Sequence, residues 1–208
     1  MIEAKTSVSG NYQIKPGTTV VAGGAFHNCT SLTGVTIPDS VVSLCDGLEW
    51  TGPHSGQEYG AFMNCTSLTS ITIPDSVDHI ENHTFKGCTN LASVTLSNSI
   101  TDLPWEVFQD CTSLTGVTIP DSVQTIGINA FANCKSLISI VLPENVRIIY
   151  DLAFSNCTSL MNFEINSESL EVYRAPFSGC TILQRVTFPA DGTRVVLQNV
   201  GINNSTVF

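Results

Sequence analysis

The chain is predicted to be a solenoid, with short coils of equal length stacked on one another around a shared apolar core. Three observations predict it. Phenylalanine returns every 23 residues, at Phe62, Phe85, Phe108, Phe131, Phe154 and Phe177. Cysteine keeps the same step at Cys65, Cys88, Cys111, Cys134, Cys157 and Cys180, each three residues after its phenylalanine. Most units also carry Leu-x-x-(Val/Ile)-x-(Ile/Leu), as in Leu68 to Ile73, where apolar and small polar residues alternate. A fixed period of roughly 20–50 residues marks repeat architectures, because one such unit cannot bury its apolar face until a neighbour covers it.

Taken in order, residues 1–10 are polar and small and read as a lead-in. Tyr12, Ile14, Gly17 and Val21 match part of the later units, so residues 12–25 read as a half-repeat. The first full repeat opens at Ala25-Phe26 and carries Cys29, Leu32, Val35, Ile37, Pro38, Val41 and Leu44. Phe26 and Phe62 stand 36 residues apart, 13 more than one period. The excess is an insertion over residues 45–60, rich in Gly and polar residues and carrying Trp50, Pro53, His54 and Tyr59. Full repeats then run without a gap to about residue 189, and residues 190–208 form a tail or cap. The whole of 1–208 is expected to be a single domain.

Inside a unit, the alternating β-branched segment reads as a short strand. Pro38, Pro74, Pro120, Pro143 and Pro189 close it, since proline cannot continue a ladder. An Asp-Ser or Glu-Asn turn follows in most units. A second extended piece, Val123 to Ile126 in one copy, leads into one helical turn around Ala130-Phe131. Like strands on successive coils are expected to pair in parallel at about 4.8 Å.

The recurring pattern Ala-Phe-x-x-Cys-x-x-Leu-x-x-Val-x-Ile-Pro-x-x-Val-x-x-Ile, read from 130–149 and its copies over roughly residues 12–189, resembles the leucine-rich repeat family in its BspA-like, 23-residue subtype. The resemblance implies a leucine-rich repeat solenoid of the α/β repeat class. In it a right-handed curved solenoid carries a parallel sheet on the concave face and short strands or helical turns on the convex side. It also implies an extracellular or cell-surface setting and binding to other proteins, including host extracellular matrix or surface proteins. Fold alone does not carry function.

Composition sets bounds. A formal net charge of −10 argues against a nucleic-acid partner, which would want a basic stripe. No run of about 18 apolar residues is present, so no membrane insertion is expected. Met1 to Gly10 lacks the apolar centre of a secretory signal. The chain then reads either as cytosolic or, the reading favoured, as a mature or excised piece of a longer protein.

The candidate chemistry is sparse. The ladder cysteines, Cys88, Cys111 and Cys134 among them, read as structural core together with Phe62, Phe85, Phe108, Phe131 and Phe154. Parallel side chains about 4.8 Å apart suit a disulfide poorly, and no Cys-x-x-Cys suggests a metal. Cys45 stands outside the column beside the insertion, where a free or intermolecular role stays open. His27, His54, His79 and His83 fall in different columns, so neither a metal nor another cofactor is expected. Asp39, Asp75 and Asp121 recur in Pro-Asp-Ser turns and read as turn formers. No nucleophile elbow, zinc-protease helix or phosphate loop is present, so an enzyme is not expected. Asn28, Asn64 and Asn156 begin glycosylation acceptor triplets that follow from the repeat itself.

Two regions are candidates for recognition. One is the outward sheet column Thr36, Thr72, Thr95, Thr118, Val141, Glu164 and Thr187 with its neighbour ending in Arg185. Threonine also simply suits a strand. The other is the insertion, whose Trp50, His54 and Tyr59 could anchor a partner or merely decorate a tolerated loop. The reading is a non-enzymatic surface adhesion and protein-binding module using the concave sheet face, the 45–60 insertion, or both. The competing reading is a structural spacer or self-assembling surface element, a homo-oligomer joined through exposed solenoid ends.

Overall fold

The computed structural model describes residues 8–44 and 59–187 and the strand Arg194–Leu197. Each coil contributes two short strands. The first row consists of Ser9–Gln13, Ser31–Thr36, Ser70–Thr72, Ser93–Thr95, Gly116–Val117, Ser139–Leu142, Asn162–Ile165 and Arg185–Thr187. The second row consists of Ser43–Leu44, His79–Ile80, Asp102–Leu103, Thr125–Ile126, Ile148–Ile149, Ser169–Val172 and Arg194–Leu197. All of these pairings are parallel, and like pairs with like: Ser139 faces Asn162, and Asn162 faces Arg185. The protein is therefore a parallel β-solenoid. Ser9–Gln13 pairs with Ser31–Thr36, so the lead-in carries a first-row strand of its own.

The period-2 pattern places the core. Ile71, Val94, Ile140 and Phe163 point inward while Ser70, Thr72, Ser93 and Thr95 face out. After each first-row strand the proline carbonyl accepts the N–H three residues on, from Val77 to Pro74 (3.0 Å) and from Val123 to Pro120 (3.0 Å). Lys15, Ser97 and Asn166 stand where other coils have that proline. In the last two of these coils a buried serine hydroxyl reaches the previous coil, Ser97 Oγ to the Val77 carbonyl (2.6 Å) and Ser167 Oγ to that of Val146 (2.5 Å). Both serines are fully buried, and their bonds satisfy groups that would otherwise be costly to hide.

The Phe-bearing segment differs from the helical turn expected around Ala130-Phe131. It is a run of turns, with no described residue in a helix. Its N–H groups alternate in direction. Gln109 and Cys111 bond back within their own coil, to Glu106 (3.2 Å) and Phe108 (3.1 Å). Phe108 and Asp110 bond across to the next coil, to Ala130 (2.8 Å) and Ala132 (2.9 Å). A helix would need every N–H directed inside the segment. Left-handed residues prevent that. Glu106, Asn129 and Leu152 occupy one such column, and Asp110, Asn133 and Asn156 the other, all with φ between 54° and 62°.

The core is built of rows. Phe26, Phe62, Phe85, Phe108, Phe131 and Phe154 are fully buried, and consecutive rings stack at centroid distances of 5.1, 5.5, 5.4, 5.4 and 5.2 Å. Phe26 and Phe62 stack as closely as the others although the insertion separates them in sequence. Ser43 likewise pairs with His79 in the second row. The extra residues therefore leave the stack in register.

Candidate functional site

The first-row strands set one outward face. Thr36, Thr72, Thr95, Thr118, Glu164 and Arg185 are all exposed on it. Thr72 pairs with Thr95, Glu164 with both Val141 and Thr187, and Arg185 with Asn162. In the first described coils this face is small and polar. It changes at Ser139–Leu142. Val141 stands 48% exposed where the preceding coil has Thr118, and Ile138 stands 45% exposed where it has Thr115. Met161, 38% exposed, follows Ile138 on the next coil, its N–H bonded to the Ile138 carbonyl (3.0 Å). Solvent-facing apolar side chains at positions where threonine serves equally well are not required by folding. The Ile138–Met161 column was missing from the sequence-derived candidates. The replacement of Thr33, Thr69 and Thr115 by Ile and Met in the same column was the available signal.

Trp50 and His54 lie outside the described residues. Tyr59 belongs to the approach to the Phe62 turn, not to the strand face, and its ring lies 4.3 Å from that of His27. The structure thus gathers the threonines, Val141, Glu164 and Arg185 on one face and sets Tyr59 apart from them.

The thiols are inside. Cys65, Cys88, Cys111, Cys134 and Cys157 are fully buried, each Sγ donating to the carbonyl of the phenylalanine one coil before at 3.1–3.2 Å. Burial pushes Cys65, Cys88, Cys111 and Cys134 well above the ordinary thiol value. Cys157 rises through its hydrogen bond with Cys180 and through burial. Such thiols are poor nucleophiles and poor ligands. The described residues contain no group of three His, Cys, Asp or Glu arranged to hold a metal.

Asn28, Asn64 and Asn156, the candidate glycosylation positions, all adopt left-handed φ. Asn64 Nδ2 donates to Asn28 Oδ1 (3.0 Å) and Asn156 Nδ2 to Asn133 Oδ1 (3.1 Å), while each following cysteine is buried. These amides serve as rungs between coils. Where the column has Gly87 (φ 73°), a Cβ would lie 2.2 Å from Asn64 Oδ1, so glycine fits the Asn64 rotamer present.

One ionic cluster lies on the Phe-turn side. Glu106 Oε2 meets Lys86 Nζ at 2.5 Å and His83 Nε2 at 3.2 Å. Burial raises the Glu106 carboxyl, but the Lys86 ammonium, His83 and a hydrogen bond with Asn129 together outweigh that and hold it below its ordinary value. His79 takes a different acid, Glu81 (3.2 Å). The two histidines therefore meet separate carboxyl groups.

No helix among the described residues is long and apolar enough to cross a membrane. The family model described as the BspA type leucine rich repeat region matches residues 6–48 and 58–184, in 6 copies. No curated protein matches the chain significantly. Among solved structures, the leucine rich repeat protein of T. pallidum, TpLRR, is 32% identical with a TM-score of 0.58, over 64% of this chain and 68% of that one. A leucine-rich repeat protein from Bacteroides ovatus is 21% identical, TM-score 0.49, over 86% of this chain and 55% of its own. A leucine rich cell surface protein from Faecalibacterium prausnitzii is 26% identical, TM-score 0.41, over 89% of this chain and 61% of its own. The chain therefore spans less than two thirds of the length of these last two proteins.

Proposed function

The chain belongs to the BspA-type leucine-rich repeat family, and from that premise we propose that it is a non-enzymatic adhesion and protein-binding module of an extracellular or cell-surface protein. Its solenoid is taken as one domain over 1–208. Leucine-rich repeat proteins usually bind protein partners, which supports the class of function. The observation that carries the reading on this chain is the first-row face. It is already built before any partner arrives, and it turns from small polar residues to exposed apolar ones beside Glu164 and Arg185. A preformed surface loses little conformational freedom on association. The insertion over 45–60 is proposed as a second contact, with Trp50, His54 and Tyr59 its anchors.

The test is capture of extracellular matrix and mucosal proteins by immobilised protein. Thr95→Arg on the sheet face should abolish capture while leaving the melting temperature unchanged, since Thr95 is exposed. Deletion of Glu49 to Gly56 should weaken capture without unfolding the array. Undiminished capture by both variants would remove the face and the loop from the reading.

A further inference from the structure

We propose that Tyr150 and Tyr173 form a site of oxidative modification, at which a haem peroxidase with hydrogen peroxide joins the two rings as dityrosine. This goes beyond the protein-binding reading and stands without it. Ile149 pairs with Val172 in the second row, so the residues that follow them, Tyr150 and Tyr173, leave their strands side by side. The Tyr173 N–H donates to the Ile149 carbonyl (2.9 Å) and the Tyr150 N–H to that of Ile126 (2.9 Å), which holds both backbones in register. The two rings stack with centroids 5.3 Å apart and planes 21° from parallel. Both reach solvent, Tyr173 at 37% exposure and Tyr150 half-buried. Earlier coils carry Glu81, Pro104 and Gly127 at this place, so the fold does not require a ring there. The other two of the four tyrosines have different neighbours. Tyr12 meets Phe26 edge-on (5.3 Å), and Tyr59 lies against His27 (4.3 Å).

In the reaction each phenol gives up one electron and its hydroxyl proton to the peroxidase. The two radicals combine through the ring carbons beside the hydroxyls, and the hydrogen on each joined carbon moves to the phenol oxygen. The net loss of two hydrogen atoms reduces one hydrogen peroxide to two waters. Rings already held in contact couple faster than rings that must meet by diffusion. The product ties together two coils whose tyrosines stand 23 residues apart (173 − 150), closing a loop that restricts the unfolded chain.

The experiment treats dilute folded protein with a haem peroxidase and limiting hydrogen peroxide, then adds a thiol reductant before analysis. The expected product is a monomer with dityrosine fluorescence. Its mass is lower by two hydrogen atoms that the reductant does not restore, and the peptides carrying Tyr150 and Tyr173 are linked. Tyr150→Phe and Tyr173→Phe should each abolish the monomer signal, and Tyr173→Phe, at an exposed position, should melt like the wild type. Tyr12→Phe/Tyr59→Phe should leave the signal intact. A treated monomer without dityrosine, a signal that survives either single variant, or cross-linked dimers as the main product would overturn the proposal.

Discussion

The Cys134 thiol donates to the carbonyl oxygen of Phe108, 3.2 Å away on the preceding coil, and that same oxygen accepts the N–H of Cys111 at 3.1 Å. Each step of the ladder thus fixes a phenylalanine carbonyl with two donors, one from its own coil and one from the next. Cys134→Ala removes the sulfur and one donor from a fully buried site, so it should cost about 1–3 kcal/mol. Cys134→Ser, which keeps a hydroxyl donor, should recover part of that loss. Denaturant unfolding of the two variants checks the order.

The buried thiols make the fold sensitive to alkali. Their folded pKa values lie above the ordinary thiol value of 9.0. Above that pH the unfolded chain releases protons that the folded chain retains. Their contribution is therefore fully present below pH 9.0 and is lost as pH rises toward the folded values. The loss amounts to about 1.4 kcal/mol per pH unit for each thiol. Unfolding free energies measured from pH 8 upward should fall steeply past about pH 9. The slope should be shallower by about one thiol's share in Cys134→Ala. A flat profile would mean that the thiols titrate in the folded state.

Phe131 stacks between Phe108 (5.4 Å) and Phe154 (5.2 Å) and is fully buried. Phe131→Ala should cost about 3–5 kcal/mol, since the stacked rings on both sides leave the cavity little room to collapse. Thr118→Ala on the exposed face should change stability by no more than about 0.5 kcal/mol. Thermal melting separates the two.

Glu106 tests the acid limb. Its carboxyl is held below the ordinary value, so its pairing with Lys86 and His83 contributes stability above the unfolded-state pKa and loses it as pH falls through the lower folded one. The site is partly solvated, so the contribution is about 0.5–1 kcal/mol. Glu106→Gln should be less stable than wild type at neutral pH and match it at pH values where the carboxyl is protonated. An equal deficit at both would show a packing effect instead of a charge effect.

The fold was largely legible because the 23-residue step is a statement about register. Once Phe85 and Phe108 occupy equivalent places, Ser93 must pair with Gly116 and Asp102 with Thr125, as they do. The convex side was less legible. Ala130-Phe131 suits a helix locally, and the feature that prevents one is conformational: left-handed residues at Asn129 and Asn133. The run of Asn, Asp and Gly just before each ladder cysteine, Asn64, Gly87, Asp110 and Asn133 among them, is the signature of those left-handed positions. The buried serines Ser97 and Ser167, in coils without the proline, were hidden too, since a hydroxyl facing the core looks the same in sequence as one facing water. On the candidate face, the threonine rows follow directly from alternation. The apolar patch at Ile138 and Met161 requires knowing which side of a bend faces solvent.

The central claim is that equivalent residues of consecutive coils touch, even across the insertion. It is tested most directly by proton–proton nuclear Overhauser contacts between selectively labelled phenylalanine rings. Phe26 and Phe62, 36 residues apart in sequence, lie with ring centroids 5.1 Å apart and should give a strong cross-peak. Phe62 and Phe85 should do the same at 5.5 Å. Phe26 and Phe85, two coils apart, should give none. Silence between Phe26 and Phe62, with the protein folded, would contradict the continuous stack and the sheet face that depends on it.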